Sequence, residues 1–170
     1  MRRNRGLTLV ELMVALVIAA ILLGIGVPAL TDLSNRSRAQ DAVATWYTDL
    51  NYARQMAAAY QTSVTVCHLD AENACDGQWN LGYDIFIDTD ADNALDAGEE
   101  RLQQRQGINS QDHVKIGSSL AQVRFSADGF SAHSGSMIYC PASPTSEYSL
   151  KLSISNTGQI RYNTHTEDCD

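Results

Sequence analysis

Hydrophobic and polar positions divide the chain into three regimes. From Leu12 to Leu30 no side chain carries a charge or a hydrogen-bonding group. As a helix this stretch is about 28 Å long, close to the ~30 Å hydrocarbon core of a bilayer. It is apolar all round rather than along one stripe, which predicts a membrane span rather than a core helix. From Arg36 the pattern becomes amphipathic. Ala39, Val43, Trp46, Leu50, Ala53, Ala57 and Tyr60 recur at alternating steps of four and three residues, one apolar face. Arg36, Arg38, Asp41, Asp49, Arg54 and Gln55 fall off that face, and Trp46 and Tyr60 are expected in the core. Gly24, Gly26 and Pro28 weaken the helix locally without ending it. Beyond residue 62 the period drops to two. Ser63–Leu69, Gly82–Asp88, Arg101–Gln106, Val123–Ser126, Met137–Cys140, Ser149–Ser155 and Gln159–Tyr162 read as strands, the last two flanking an Asn156-Thr157-Gly158 turn. The expected architecture is α+β: one helix from Leu7 to about Tyr60, packed on an antiparallel sheet.

Charge gives the span an orientation. Arg2, Arg3 and Arg5 precede it and no basic residue follows until Arg36, which predicts a cytoplasmic N-terminus and export of the remainder. The apolar run exceeds the roughly 7–15 residues of a secretory signal, and no A-x-A site follows it. Glu11 stands out. A carboxylate in a membrane segment costs up to about 2.5–3.5 kcal/mol, less near the interface, so it needs a partner or a function.

Gly6-Leu7-Thr8-Leu9-Val10-Glu11 resembles the G-[FLM]-T-L-[IV]-E signature of type IV prepilins and type II secretion pseudopilins, here after a short basic leader. The resemblance implies that a prepilin peptidase cuts between Gly6 and Leu7 and methylates the new amine of Leu7. Glu11, fifth in the mature chain, would then pair with the terminal amine of a neighbouring subunit during assembly. Ala53-Arg54-Gln55, Val64-Thr65-Val66-Cys67, the Gly82–Asp88 run and Glu99-Glu100-Arg101-Leu102 are similar to the GspH/FimT group of minor pilins and pseudopilins. On that resemblance the chain has the pilin fold: a leader (1–6), a transmembrane and assembly half of the helix (7–30), an amphipathic half (31–61) and a periplasmic β-sheet domain (62–170).

Composition narrows the chemistry. Twelve basic residues less the three leader arginines leave nine against twenty acidic ones, a net charge of −11 in the mature chain. That balance speaks against general nucleic-acid binding, which rests on clustered Lys and Arg. Four cysteines in an exported domain predict two disulfides; Cys67 with Cys75 and Cys140 with Cys169 is the pairing expected, although spacing leaves all three pairings open. No C-x-x-C spacing supports zinc.

Asp88, Asp90, Asp92, Asp96 and Glu99 fall at positions 1, 3, 5, 9 and 12 of a twelve-residue run, the spacing of a calcium loop, with Asn93 at the position usually held by Gly. A strand rather than a helix precedes it, and a solvated turn is the expectation; no cofactor is required. His68, His113, His133 and His165 are dispersed and expected at the surface, and no nucleophile or metalloprotease motif occurs, so an enzyme is not expected.

By resemblance, pilins that capture DNA carry G-R-x-R on the last hairpin. Gly158-Gln159-Ile160-Arg161 lacks the first arginine, and Glu167, Asp168 and Asp170 follow, so Arg161 alone of that motif stands as a candidate for DNA contact. The resemblance therefore implies a minor type IV pilin of the FimU/FimT kind. It would be a single-pass protein of the bacterial inner membrane with a periplasmic domain, assembled with other minor and major pilins near the pilus tip and priming assembly. A type II secretion pseudopilin and a DNA-uptake pilin are the alternatives.

Overall fold

The computed structural model describes residues 8–163 and 167–170. The chain forms two compact units, Met1–Asn35 and Arg36–Asp170. Helix α1 runs from Leu9 to Tyr60 with Pro28 inside it. In the first unit its described large apolar side chains, from Leu9 to Leu33, are exposed.

The second unit contains the rest of α1 and eight strands among the described residues: β1 (Val64–Cys67), β2 (Gly82–Ile87), β3 (Arg101–Gln106), β4 (His113–Ile116), β5 (Val123–Phe125), β6 (Gly135–Cys140), β7 (Leu150–Ile154) and β8 (Ile160–Asn163). All neighbouring pairs are antiparallel, but the strands form two four-stranded sheets, β3-β2-β1-β5 and β4-β6-β7-β8, where one was anticipated. The runs 63–69, 82–88, 101–106, 123–126, 137–140, 149–155 and 159–162 all contain strands. β4 was missed. It alternates polar and apolar residues over only four positions, with Val114 and Ile116 half-buried at a sheet edge, too short a run to stand out.

One core joins both sheets to the helix. Ala39, Val43, Trp46, Leu50, Ala53 and Ala57 are buried against Val64, Val66, Ile85, Val123 and Phe125 of the first sheet and Met137, Tyr139, Leu152 and Ile154 of the second. Trp46 meets Tyr139 edge-on at 5.9 Å, a geometry worth about 0.5–1.5 kcal/mol beyond the area it buries. Two expectations for the helix fail at its margins. Tyr60 is half-exposed, because the stripe loses its cover at the last turn. Asp49, placed off the apolar face, is buried: Arg105 of β3 grips both its oxygens (2.7 and 2.9 Å) and the Tyr83 hydroxyl of β2 donates to it at 2.7 Å. These three charge-assisted bonds replace the water that the carboxylate gives up.

A second buried carboxylate ties the second sheet to α1. Asp112, in the β3–β4 loop, accepts from the Ala142 amide (2.8 Å) and the Tyr139 hydroxyl and pairs with Arg38 of α1 at 3.1 Å. Burial and the neighbouring carboxylates push both Tyr83 and Tyr139 far above the ordinary phenol range, so each stays a hydrogen-bond donor.

Cys67 is bonded to Cys75, and Cys140 to Cys169. The second bond holds the C-terminal tail, whose Cys169 amide also donates to Pro144 at 2.8 Å. The first closes the loop that follows β1. Replacing Cys67 and Cys75 together by alanine should lower stability by about 2.5 kcal/mol on chain-entropy grounds. Chemical denaturation checks this, and an unchanged midpoint would show that the bridge adds nothing.

Candidate functional site

Two places gather the residues singled out by sequence. Gly6 and Leu7 lie outside the described residues, so the first place begins at Thr8. The Thr8 hydroxyl accepts from the Glu11 amide (3.2 Å), and the Glu11 carboxylate accepts from the Thr8 amide (3.3 Å) and hydroxyl (3.4 Å). This is a capping box: each side chain satisfies a backbone donor that the first turn leaves open, and the carboxylate sits at the positive end of the helix dipole. Its signal, Thr-x-x-Glu at the head of an apolar run, lies in the sequence itself. It gives Glu11 a role inside its own chain, beside the intersubunit role that the resemblance implies.

From there the helix is long and apolar enough to cross a membrane. An added Cβ at Gly24 or Gly26 would meet nothing within 4 Å, so both positions are open for close approach of another helix. Pro28 removes one backbone donor, and one turn later the Thr31 hydroxyl donates to the Val27 carbonyl at 3.1 Å.

The second place is the acidic run after β2. Asp88 is fully buried, accepting a 2.6 Å hydrogen bond from Thr65 of the neighbouring strand through Oδ2. Glu99 folds back on the loop, accepting from the Thr89 amide (2.6 Å) and hydroxyl (2.9 Å) and from the Asp96 amide (3.1 Å). The turn needs left-handed residues. Asn93 takes φ 68° in place of the usual Gly, and Ala91 takes φ 63°, which a non-glycine residue adopts only when its surroundings compel it. Those surroundings are distant in sequence. Arg124 of β5 donates to the Ala91 carbonyl (2.5 Å) and the Asn93 side chain (3.1 Å). Cys75 donates to the Asn93 carbonyl, and Leu95 to that of Asn73.

Environment separates the carboxyls. Burial pushes Asp88 above the usual carboxylate range, with Thr65 and Arg124 opposing and Glu99 adding to it. Asp96 is raised chiefly by Asp92. For Glu99, burial works upward but is outweighed by the Thr89 and Asp96 amides, so its pKa falls.

The remaining candidates are scattered. Arg161 is exposed on β8, with its guanidinium donating to Gln159 at 2.7 Å. His113 is exposed, and His165 lies outside the described residues. His68 and His133 correct the expectation that every histidine is a surface residue. The His68 ring lies 2.7 Å from Asp76, and His133 is half-buried, with its pKa pushed down by burial and then by Arg124. His68 lies in the 68–81 segment between β1 and β2 and pairs with Asp76 of the same segment.

Residues 42–158 match the family model described as type II transport protein GspH. The chain belongs to the GspH family. The matched span takes in Asp49, the acidic loop and the β7–β8 turn, while residues 1–27 match the prokaryotic N-terminal methylation motif. No curated protein sequence matches the chain. The type IV minor pilin FimU of Pseudomonas aeruginosa is similar in structure, with TM-score 0.64 and 22% identity over 81% of this chain and 99% of that one. In a second crystal form its TM-score is 0.60 at 22% identity, covering 77% of this chain and 99% of FimU. The minor pseudopilin EpsH of the Vibrio cholerae type 2 secretion system matches at TM-score 0.55 and 10% identity, over 75% of this chain and 97% of that one. At such identities the likeness is one of fold: this GspH-family chain has the long N-terminal helix on antiparallel sheets that these subunits have.

Proposed function

We propose that this GspH-family chain is a minor type IV pilin: a single-pass protein of the bacterial inner membrane, cut after Gly6, methylated on Leu7 and built into the pilus near its tip. There it joins other pilins and primes assembly. The observation that carries this reading is the pairing of a methylation motif over residues 1–27 with a helix whose described large apolar side chains, Leu9 to Leu33, are exposed. Such a surface is stable only in lipid or against other apolar helices. The mechanism is packing. Lipid covers the helix while the subunit waits in the membrane, and neighbouring helices cover it in the filament.

The test is the mass of the mature N-terminus. It should begin at methylated Leu7 in cells with prepilin peptidase and at Met1 in cells without it. An intact Met1 in both, or cleavage near residue 30, would end the pilin account. A pseudopilus is the second reading, favoured by the GspH match itself. Deleting the gene separates the two: loss of surface pili supports the first, and loss of secreted enzymes with normal pili supports the second.

A further inference from the structure

The acidic loop holds an arrangement that filament packing does not use. One carboxylate oxygen from each of Asp88, Asp90 and Glu99 lies within 4.8 Å of the others, and the same is true of Asp90, Asp92 and Asp96. Oxygens bound to one calcium ion at about 2.3–2.6 Å lie at most about 5 Å apart, so either group fits around a single ion. Asp90 belongs to both.

A cluster of exposed acids would mean little alone. Asp88 is different: it is fully buried, and its Oδ1 has no hydrogen-bond partner, while Oδ2 is engaged by Thr65. A buried carboxylate oxygen without a hydrogen-bond partner is left short of a donor or ligand on that side. No nearby cation hydrogen-bonds it, although the charge of Arg124 favours the ionised carboxylate. Arg124 donates to the loop's Ala91 carbonyl and Asn93 side chain, and Arg101 pairs with Asp84 at 3.0 Å. The bare oxygen instead belongs to a side chain grouped with Asp90 and Glu99.

We propose that the loop Asp88–Glu99 binds one calcium ion, with Asp88, Asp90 and Glu99 as direct ligands and Asp92 and Asp96 on its open side. Donor chemistry selects the ion. Five carboxylates and no sulfur or imidazole suit a hard cation. An irregular site with exposed Asp90, Asp92 and Asp96 leaves room for water and suits calcium, whereas magnesium demands a regular octahedron and gives up water reluctantly. The oxygen that Thr65 holds and the amides that Glu99 accepts fix these two ligands before the ion arrives.

The test uses the full chain in detergent micelles, stripped of divalent ions and titrated with calcium by calorimetry and thermal melting. One ion should bind per chain with Kd of about 1 mM or tighter, the range of extracellular sites. The melting temperature should rise by several degrees at about 10 mM calcium. Asp88→Asn and Glu99→Gln should each weaken binding at least about tenfold, equivalent to 1.4 kcal/mol. Asp90→Asn, at an exposed position, repeats the loss without disturbing the buried strand, and Glu100→Gln, one residue outside the cluster, should bind like the parent. No calcium response from the folded chain, or an equal response to magnesium or matched sodium chloride, overturns the proposal.

Discussion

Glu11→Ala and Glu11→Gln are expected to fail together, each cutting incorporation of this subunit into pili at least about tenfold. The pair is needed because Glu11 has two possible roles. Inside its own chain it completes the capping box with Thr8. Glutamine keeps that geometry, since the motif accepts Glu or Gln, and loss of a cap is worth only about 1 kcal/mol. In the assembly reading the carboxylate instead neutralises the terminal amine of a neighbour, which glutamine cannot do. Leaving one charge of a buried pair alone costs about 3–5 kcal/mol, more than enough for a tenfold loss. Thr8→Ala provides the converse, losing the cap but keeping the charge, and should incorporate within about fivefold of the parent. Immunoblots of sheared pili, normalised to the membrane pool, measure all three. A Glu11→Gln subunit that enters pili like the parent would reduce Glu11 to a helix cap.

Gly158→Ala should cost about 3–5 kcal/mol and lower the melting temperature by on the order of 10 °C. Gly158 sits in the β7–β8 turn with φ 71°, where an L-residue is strained. An added Cβ would also stand 2.0 Å from the Gly129 carbonyl oxygen and 3.1 Å from Arg54 Nε. That contact is backbone and cannot swing aside. It exists because two turns, one from each sheet, abut over α1: the Arg54 guanidinium donates to the Gly129 carbonyl at 2.9 Å, and Ser131 donates to the Asn156 carbonyl at 2.9 Å. Gly129→Ala is the control. It has a similar φ of 78°, but the three atoms nearest its new Cβ all belong to the Arg54 side chain, which can move, so about 1–2 kcal/mol is expected. Equal losses for the two variants would show that backbone strain alone matters and that the turns are not in firm contact.

What could be read from the residues was whatever short-range physics controls. The 4-3-4-3 spacing from Ala39 to Ala57 identified six buried helix positions, because a helix turns through a fixed angle per residue. It overreached at Tyr60, since periodicity does not say where the partner surface stops. It misplaced Asp49, whose burial depends on Arg105, 56 residues away. The acidic spacing from Asp88 to Glu99 was plain, but not that Asp88 is sealed off by β1 while Asp90 faces water. No local signal announces that difference, because both are aspartates two residues apart.

The sequence by itself determined the membrane-length helix, the places of the main strands along the chain and the hairpin at Gly158, all of which follow from nearest-neighbour chemistry and a repeating period. Only the tertiary structure decided that the strands divide into two sheets, that Arg54 braces the turns between them, and that Arg124 and the Cys67–Cys75 loop shape the acidic run. These depend on contacts between residues tens of positions apart. Their formation is fixed by how whole surfaces fit together and exclude water, a property that no single stretch of the chain carries.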